Sequence, residues 1–205
     1  VRILRRADYP AIGWKNGRGI AYQIAADPPD AGYDAFDWQV TRPEITRDGP
    51  FSSFPGLDRQ FNLVAGSGLV LRLHSAADGV ALEWRIDRAL EPFAFRGDWS
   101  AECSLIDGAV QVFNVMTRRG RAGARIEVAS ADAVRPLAKS AGETLVAYVA
   151  RGPVEAWGSW GKATLAADDS LLIDEDESTA VAVAAAAEHP AQLVLVRLHR
   201  ERASR

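Results

Sequence analysis

The chain has 205 residues, 48% of them hydrophobic and 25% charged, which suits one large domain or two small ones with a sizeable core. Its net charge of −3 excludes nucleic acid as the main partner, because phosphate binding needs a concentrated basic face; the basic end "RLHRERASR" reads as a solvated strand end and tail. The opening "VRILRRADYP" lacks the apolar run of a signal peptide, no stretch is long enough to span a membrane, and the one cysteine, Cys103, excludes an internal disulfide, so a cytoplasmic protein is expected.

Strand-like stretches dominate in chain order: "FDWQVTRPEI", "FNLVAG", "GLVLRLH", "VALEWRI", "AVQVFNVM", "RIEVA", "TLVAYVA", "PVEAWG", "SLLIDE" and "QLVLVRL". They are short, rich in β-branched or aromatic residues, and bounded by Gly, Pro or Asp, as in sandwiches and barrels. Only "SADAVRPLAKS" suggests a turn of helix, limited by Pro136. A faint internal echo runs through the chain. Residues 63–73 resemble 148–158, residues 93–103 resemble 163–173, and "VQVFNVM" and "QLVLVRL" close each half. Similar units in the same order suggest two like β-barrel halves.

The usual signatures of chemistry are absent. His74, His189 and His199 show none of the close spacings of a transition-metal site, so no metal and no cofactor are expected. The acidic stretch "DDSLLIDEDES" lacks the glycine and glutamate of a calcium loop and reads as a solvated acidic edge. Ser159 in "WGSWG" lacks nucleophile-elbow spacing, and Cys103 sits in an apolar strand context where a thiol is inert. "GRGIAY" and "GKAT" fall short of phosphate loops.

What remains is a set of Arg, Asn and Trp residues beside glycine turns or strands: Trp14 and Asn16 with Gly17 and Gly19 in "GWKNGRG", Arg59 in "LDR", and Asn114 in "VFNVMTRR". Asn side chains and glycine N–H groups grip carboxylates or amides, and Arg binds a carboxylate through two N–H bonds. In "DGPFSSFPGLDR" (48–59), Pro50 and Pro55-Gly56 shape a loop that Phe51 and Phe54 pin down. Arg59 then either faces a cavity or locks the loop through Asp58.

At "WKNGRG", "FDW", "DGPFSSFPGLDR", "FRGD" and "VFNVMTRR" the chain resembles the HutD/Ves family, over roughly the first 120 residues. The resemblance implies an all-β, cupin-like double barrel (a bicupin of RmlC-like jelly rolls), with residues 1–120 as an N-terminal barrel carrying the motifs and 121–205 as a smaller C-terminal barrel. It implies a non-enzymatic sensor or governor of histidine utilisation that binds a small carboxylate such as a formylated glutamate derivative; other members are described as stress-induced. The alternative is a metal-free cupin-type isomerase or hydrolase acting on a small acid, with Asp98, Glu44 or Asp58 as its acid or base. A homodimer is admissible. The binding residues so assigned are Trp14, Asn16, Gly17, Gly19, Arg59 and Asn114. The chain departs from the family pattern at Arg18, Ala21, Gln23, Gln39 and Val112. An acid and a base have both become glutamine, at Gln23 and Gln39. If the two form a buried pair, losing both together avoids a stranded charge, so these residues are expected on neighbouring strands and in contact.

Overall fold

The computed structural model describes residues 1–186 and 190–201. Its strands, in chain order, are β1 (Arg2–Leu4), β2 (Ala11–Gly13), β3 (Ile20–Asp27), β4 (Trp38–Ile45), β5 (Gly49–Pro50), β6 (Leu57–Ala65), β7 (Leu69–His74), β8 (Ala81–Ile86), β9 (Pro92–Arg96) and β10 (Ser100–Leu105). They continue as β11 (Val110–Arg118), β12 (Ala122–Ser130), β13 (Arg135–Pro136), β14 (Glu143–Arg151), β15 (Val154–Gly158), β16 (Gly161–Leu165), β17 (Ser170–Ile173), β18 (Val181–Ala185) and β19 (Gln192–Arg200). The only helical element among the described residues is a single 3-10 turn at Arg6–Asp8. The protein is all-β, and no described helix is long and apolar enough to cross a membrane.

Two compact units divide the chain. One comprises Pro10–Ala122, and the other Val1–Tyr9 together with Gly123–Glu201. Each holds two antiparallel sheets. In the Pro10–Ala122 unit the order is β2-β3-β4-β11-β6-β9 in one sheet and β5-β10-β7-β8 in the other. In the second unit it is β1-β17-β14-β19-β12 and β13-β18-β15-β16. Raising each label of β4-β11-β6-β9 by eight gives β12-β19-β14-β17, and β5-β10-β7-β8 becomes β13-β18-β15-β16, so the strand order is duplicated. The echo in the sequence follows this at its first and last matches. Its middle match slips by one strand: it equates β9 and β10 with β16 and β17, whereas the topology equates them with β17 and β18. Among the described residues all four sheets have free edges.

Strands with one face on the core show period-two alternation, β7 most clearly, whereas β14 is buried at eight consecutive positions. Along β7, Leu69, Leu71 and Leu73 are buried while Arg72 and His74 are exposed. Those three leucines join Ile45, Phe61, Leu63, Phe95 and Val112 in one core between the two sheets of their unit. The core of the other unit is built from Leu137, Leu145, Val149, Leu165, Leu171, Ile173, Leu193, Leu195 and smaller residues such as Ala147.

Two local expectations are corrected. "SADAVRPLAKS" forms no helix. Pro136 cannot donate to a helical ladder, and Arg135–Pro136 instead pairs with β18. The acidic stretch is not simply solvated: Ser170–Ile173 is buried in β17, and Asp169 accepts from Arg5 Nη1 (2.7 Å) and from the Arg6 (2.9 Å) and Ala166 (3.0 Å) N–H groups. Glu177 Oε1 lies against the Val1 nitrogen. His189 lies outside the described residues, and no group of three or more potential metal ligands occurs among those described.

Leu71 has no exposed surface. Leu71→Ala is expected to lower unfolding free energy by about 2–5 kcal/mol, read from urea denaturation, with strand content by circular dichroism unchanged.

Candidate functional site

A cavity in the Pro10–Ala122 unit is lined by residues that alternate inward on three adjacent strands: Gln39, Thr41, Pro43 and Ile45 on β4, Val112, Asn114 and Met116 on β11, and Arg59 and Phe61 on β6. Trp14, Ala21, Tyr33, Phe51, Ser52 and Phe54 complete it. Its volume is about 50 Å³, which at roughly 10–15 Å³ per water is room for a few waters or one compact polar group.

Arg59 dominates this wall. Asp58 and Arg59 are neighbours on a strand, so their side chains leave on opposite faces. Asp58 turns outward and accepts from Arg119 Nη1 at 2.7 Å, and Arg119 also pairs with Asp98. Arg59 turns inward and is 8% exposed. The question left open by the sequence is thereby decided: the loop is latched by Arg119, and Arg59 faces the cavity.

The guanidinium of Arg59 lies over Phe95 (4.9 Å), Phe54 (5.3 Å) and Phe51 (5.6 Å). Its hydrogen bonds are long, 3.4 Å to the Ser52 carbonyl and 3.4 Å to Asn114 Oδ1, and its Nε–H has no partner. Among the described residues no carboxylate pairs with it. Burial pulls its pKa down from 12.5 to about 10, with the Tyr33 hydroxyl acting in the opposite sense. It therefore stays cationic at neutral pH. Burial raises Tyr33 above the usual phenol range, and the Arg59 charge opposes that. A buried cation without a counter-charge is costly, and three aromatic faces compensate only in part. Arg59 is thus a buried cation whose Nε–H bonding capacity is unfilled.

The other wall groups are fixed by their own bonds. Asn114 Nδ2 donates to Thr41 Oγ1 (3.2 Å), which aims its Oδ1 at Arg59. Gln23 Nε2 donates to the Pro29 carbonyl (3.0 Å), an acceptor only, so Gln23 Oε1 must accept, and Gln39 Nε2 donates to it at 2.9 Å. Gln23 and Gln39 thus meet on adjacent strands β3 and β4, as expected, across a bulge between Gln23 and Ala25. Gln39 Oε1 is left buried and unpartnered.

Of the six binding residues expected, Trp14, Arg59 and Asn114 line the cavity. Asn16, Gly17 and Gly19 do not. Asn16 is a latch for the loop: its Nδ2 donates to the Pro50 carbonyl (3.0 Å) and its Oδ1 accepts from the Arg18 N–H (3.0 Å). Gly17, at φ 69°, turns the chain so that its N–H meets the Trp14 carbonyl at 2.8 Å. A Cβ on Gly19 would lie 2.7 Å from the Trp14 indole, so this glycine gives the ring its seat. That ring meets Phe51 edge-on at 6.1 Å. Tyr33, Thr41 and Met116 were missed, although the alternation around Thr41 on β4 and Met116 on β11 was visible. Asp58, Asp98 and Glu44, the candidate acids, do not line the cavity; Glu44 instead accepts from Arg42 and Gln111.

These features define a cupin-like β protein with a cationic, aromatic-walled cavity. The HutD family model matches residues 6–191, and the chain belongs to the HutD family. A 21.2 kDa protein in the hutC 3′ region of Pseudomonas putida is 32% identical over 127 residues, 62% of this chain and 63% of that protein. Protein Ves of Citrobacter koseri is 34% identical over 121 residues, 58% of this chain and 59% of its own length. The chain thus spans somewhat under two thirds of these curated relatives. HutD from Pseudomonas fluorescens SBW25, solved in a formate condition, superposes with a TM-score of 0.79 at 27% identity over 98% of this chain and 99% of that one. Oxalate decarboxylase from Lactobacillus farciminis, at 8% identity and TM-score 0.65 over 98% of this chain and 86% of that one, shares the fold.

Asp98 gives a pH test of the latch. Desolvation would raise its pKa, but the Gly56 N–H and Arg119 outweigh it and hold the carboxyl below its usual range. A depressed acid stabilises above its unfolded pKa and loses that contribution as pH falls through the folded value. Acidification below about pH 4 should therefore release the 51–59 loop, read as a loss of amide protection at Phe54 and Leu57 relative to the intrinsic exchange rate at each pH. Asp98→Asn should show that loss of protection already at neutral pH.

Proposed function

We propose that this chain is a small-molecule-binding protein that takes a compact carboxylate into the Pro10–Ala122 cavity through Arg59, and that it acts as a sensor or governor in histidine utilisation. The observation that carries the reading is the buried Arg59 cation, ringed by phenylalanines and unpaired by any described carboxylate. A bidentate carboxylate would supply the missing charge and the missing hydrogen bonds together. The formate condition of the Pseudomonas fluorescens HutD structure is compatible with such a ligand, and the hutC-region relative supports the pathway. The absence of any carboxylate, imidazole or thiol from the lining supports binding over acid–base catalysis, whose candidate acids are committed to Arg119 and Arg42. On architecture, the duplicated strand order and the likeness to oxalate decarboxylase support reading the two units as two cupin-like barrels.

A thermal-shift series with formate, acetate and N-formylglutamate tests this. A ligand at a hundredfold its dissociation constant should stabilise the fold by about 2.7 kcal/mol. Arg59→Met should abolish that shift. It should also leave the free protein at least as stable as the parent, because an apolar side chain replaces an uncompensated charge. A free protein clearly destabilised by Arg59→Met, but still shifted by the carboxylate, would mark Arg59 as structural and overturn the site.

Affinity should also follow the guanidinium. Only its protonated form attracts the anion, so binding of a monocarboxylate is expected to be level from about pH 6 to pH 9 and to weaken as pH rises through about 10. Calorimetric titration across that range provides the check.

A further inference from the structure

Among the described residues β8 is the outer strand of its sheet, bonded only to β7. Ala81 through Arg85 are all exposed, including Leu82 at 46% and Trp84 at 51%. Large apolar side chains on a free edge invite pairing unless something blocks it. The direction of the free main-chain groups follows from the rest of the sheet. The Phe51 N–H donates to the Ala101 carbonyl at 2.8 Å, so Ala101 on β10 is bonded towards β5 and its neighbours Ser100 and Glu102 towards β7. The same alternation on β7 turns Arg72 and His74 towards β10, and Leu71 and Leu73 towards β8, opposite Trp84 and Leu82. The Ser75 N–H to Val80 carbonyl bond (2.8 Å) at the turn has the same phase. Ala81, Glu83 and Arg85 therefore present their N–H and C=O groups away from the sheet.

A strand added antiparallel must place its own outward-bonding residues opposite these three. If the added strand is β8 of a second copy, related by a two-fold axis, few registers remain. Centring on Glu83 sets Glu83 against itself. Centring on Arg85 sets Arg85 against itself and Glu83 against Asp87. Both oppose like charges, which destabilises a ladder. Centring on Leu82 leaves Arg85 opposite Gly79. Centring on Trp84 sets Glu83 opposite Arg85 of the second copy, twice by symmetry, with Leu82 opposite Ile86 and the two indoles side by side. The present partners of these charges, Arg72 for Glu83 and Asp87 for Arg85, are in exposed pairs that exchange at little cost. Trp84 is already held flat against Phe93 (centroids 5.5 Å apart, planes at 30°), so little ordering is required of it.

We propose that β8 is a homotypic docking edge, through which two copies of this chain pair antiparallel about Trp84 with reciprocal Glu83–Arg85 ion pairs. Joining the sheets satisfies the free main-chain groups and covers Leu82 and Trp84.

Sedimentation velocity on the full chain, from about 1 to 500 μM, reads the association, since a single-strand edge of this size implies micromolar affinity. Glu83→Lys and Arg85→Glu should each weaken dimerisation by about tenfold. The double variant Glu83→Lys/Arg85→Glu should restore it, because opposite charges again face one another across the axis. Trp84→Cys adds a geometric readout. Opposed residues of a non-hydrogen-bonded pair stand about 4.5 Å apart at Cα, within disulfide reach, so Trp84→Cys should cross-link on oxidation and Leu82→Cys should not. Cys103 is buried, its thiol pushed up to about 12 by desolvation and by Asp48, so it adds no background. A monomer throughout the range, a dimer indifferent to both single charge reversals, or equal cross-linking at both cysteines would overturn the proposal.

Discussion

A guanidinium held inside a protein without an acid beside it is the constraint on which this structure turns. Removing such a charge from water costs several kcal/mol unless it is paired and fully hydrogen-bonded. Among the described residues Arg59 has only two long hydrogen bonds and an unpartnered Nε–H. Its surroundings read as provisions for keeping it there. Phe51 and Phe54 come from the loop and Phe95 from β9 to present ring faces to it. Asn114 turns its carbonyl oxygen towards it because Thr41 takes the amide. Asp58, the acid nearest in sequence, leaves on the opposite face of the strand, where it pairs with Arg119. The glutamine pair at positions 23 and 39 contributes no charge, so Arg59 is the one formal charge among the residues lining the cavity.

The remainder of the Pro10–Ala122 unit holds that wall in place. β11 lies between β4 and β6, so side chains distant in sequence arrive on one face: Asn114 opposite Thr41 on one side, and Met116 opposite Arg59 on the other. The loop that closes over them is tied at Gly97, whose carbonyl accepts from the Phe54 N–H (2.8 Å) and whose N–H donates to the Leu57 carbonyl (2.8 Å). An aromatic row of Trp84, Phe93 and Phe95 leads from the edge strand β8 to the guanidinium. The second unit repeats the strand order, but its core is packed with Leu, Val, Ile and Ala. The two units share a strand order, while the cavity around Arg59 lies in the Pro10–Ala122 unit.

The sequence disclosed the long strands because they are rich in β-branched and aromatic residues and Gly, Pro or Asp marks their ends; alternation is clean on β7 but absent from β14, which is buried at eight consecutive positions. The sequence concealed β1, β2, β5 and β13, which are two or three residues long and carry no period. β3 escaped because "IAYQIAAD" is rich in alanine rather than in β-branched residues. Arg59's direction was legible in principle: Leu57, Arg59, Phe61 and Leu63 share the buried side of β6. Asn16 was misassigned because an Asn before a Gly serves a turn more often than a ligand. Tyr33 could not be reached by such reasoning, since its place depends on how the 28–37 segment folds back and bonds to the Gly13 carbonyl at 2.8 Å. The Gln23–Gln39 contact was legible only because both positions depart from a family pattern together.

The account rests on the unpaired cation of Arg59, and its side-chain NMR signal reports on that directly. With the Nε–H resonance assigned by its loss in Arg59→Lys, formate is titrated into the labelled protein at neutral pH. The account predicts a saturable downfield shift of this resonance and slowed exchange with water, as an anion takes up the vacant N–H. A resonance that stays fixed while formate raises the melting temperature would place the ligand elsewhere and contradict the account.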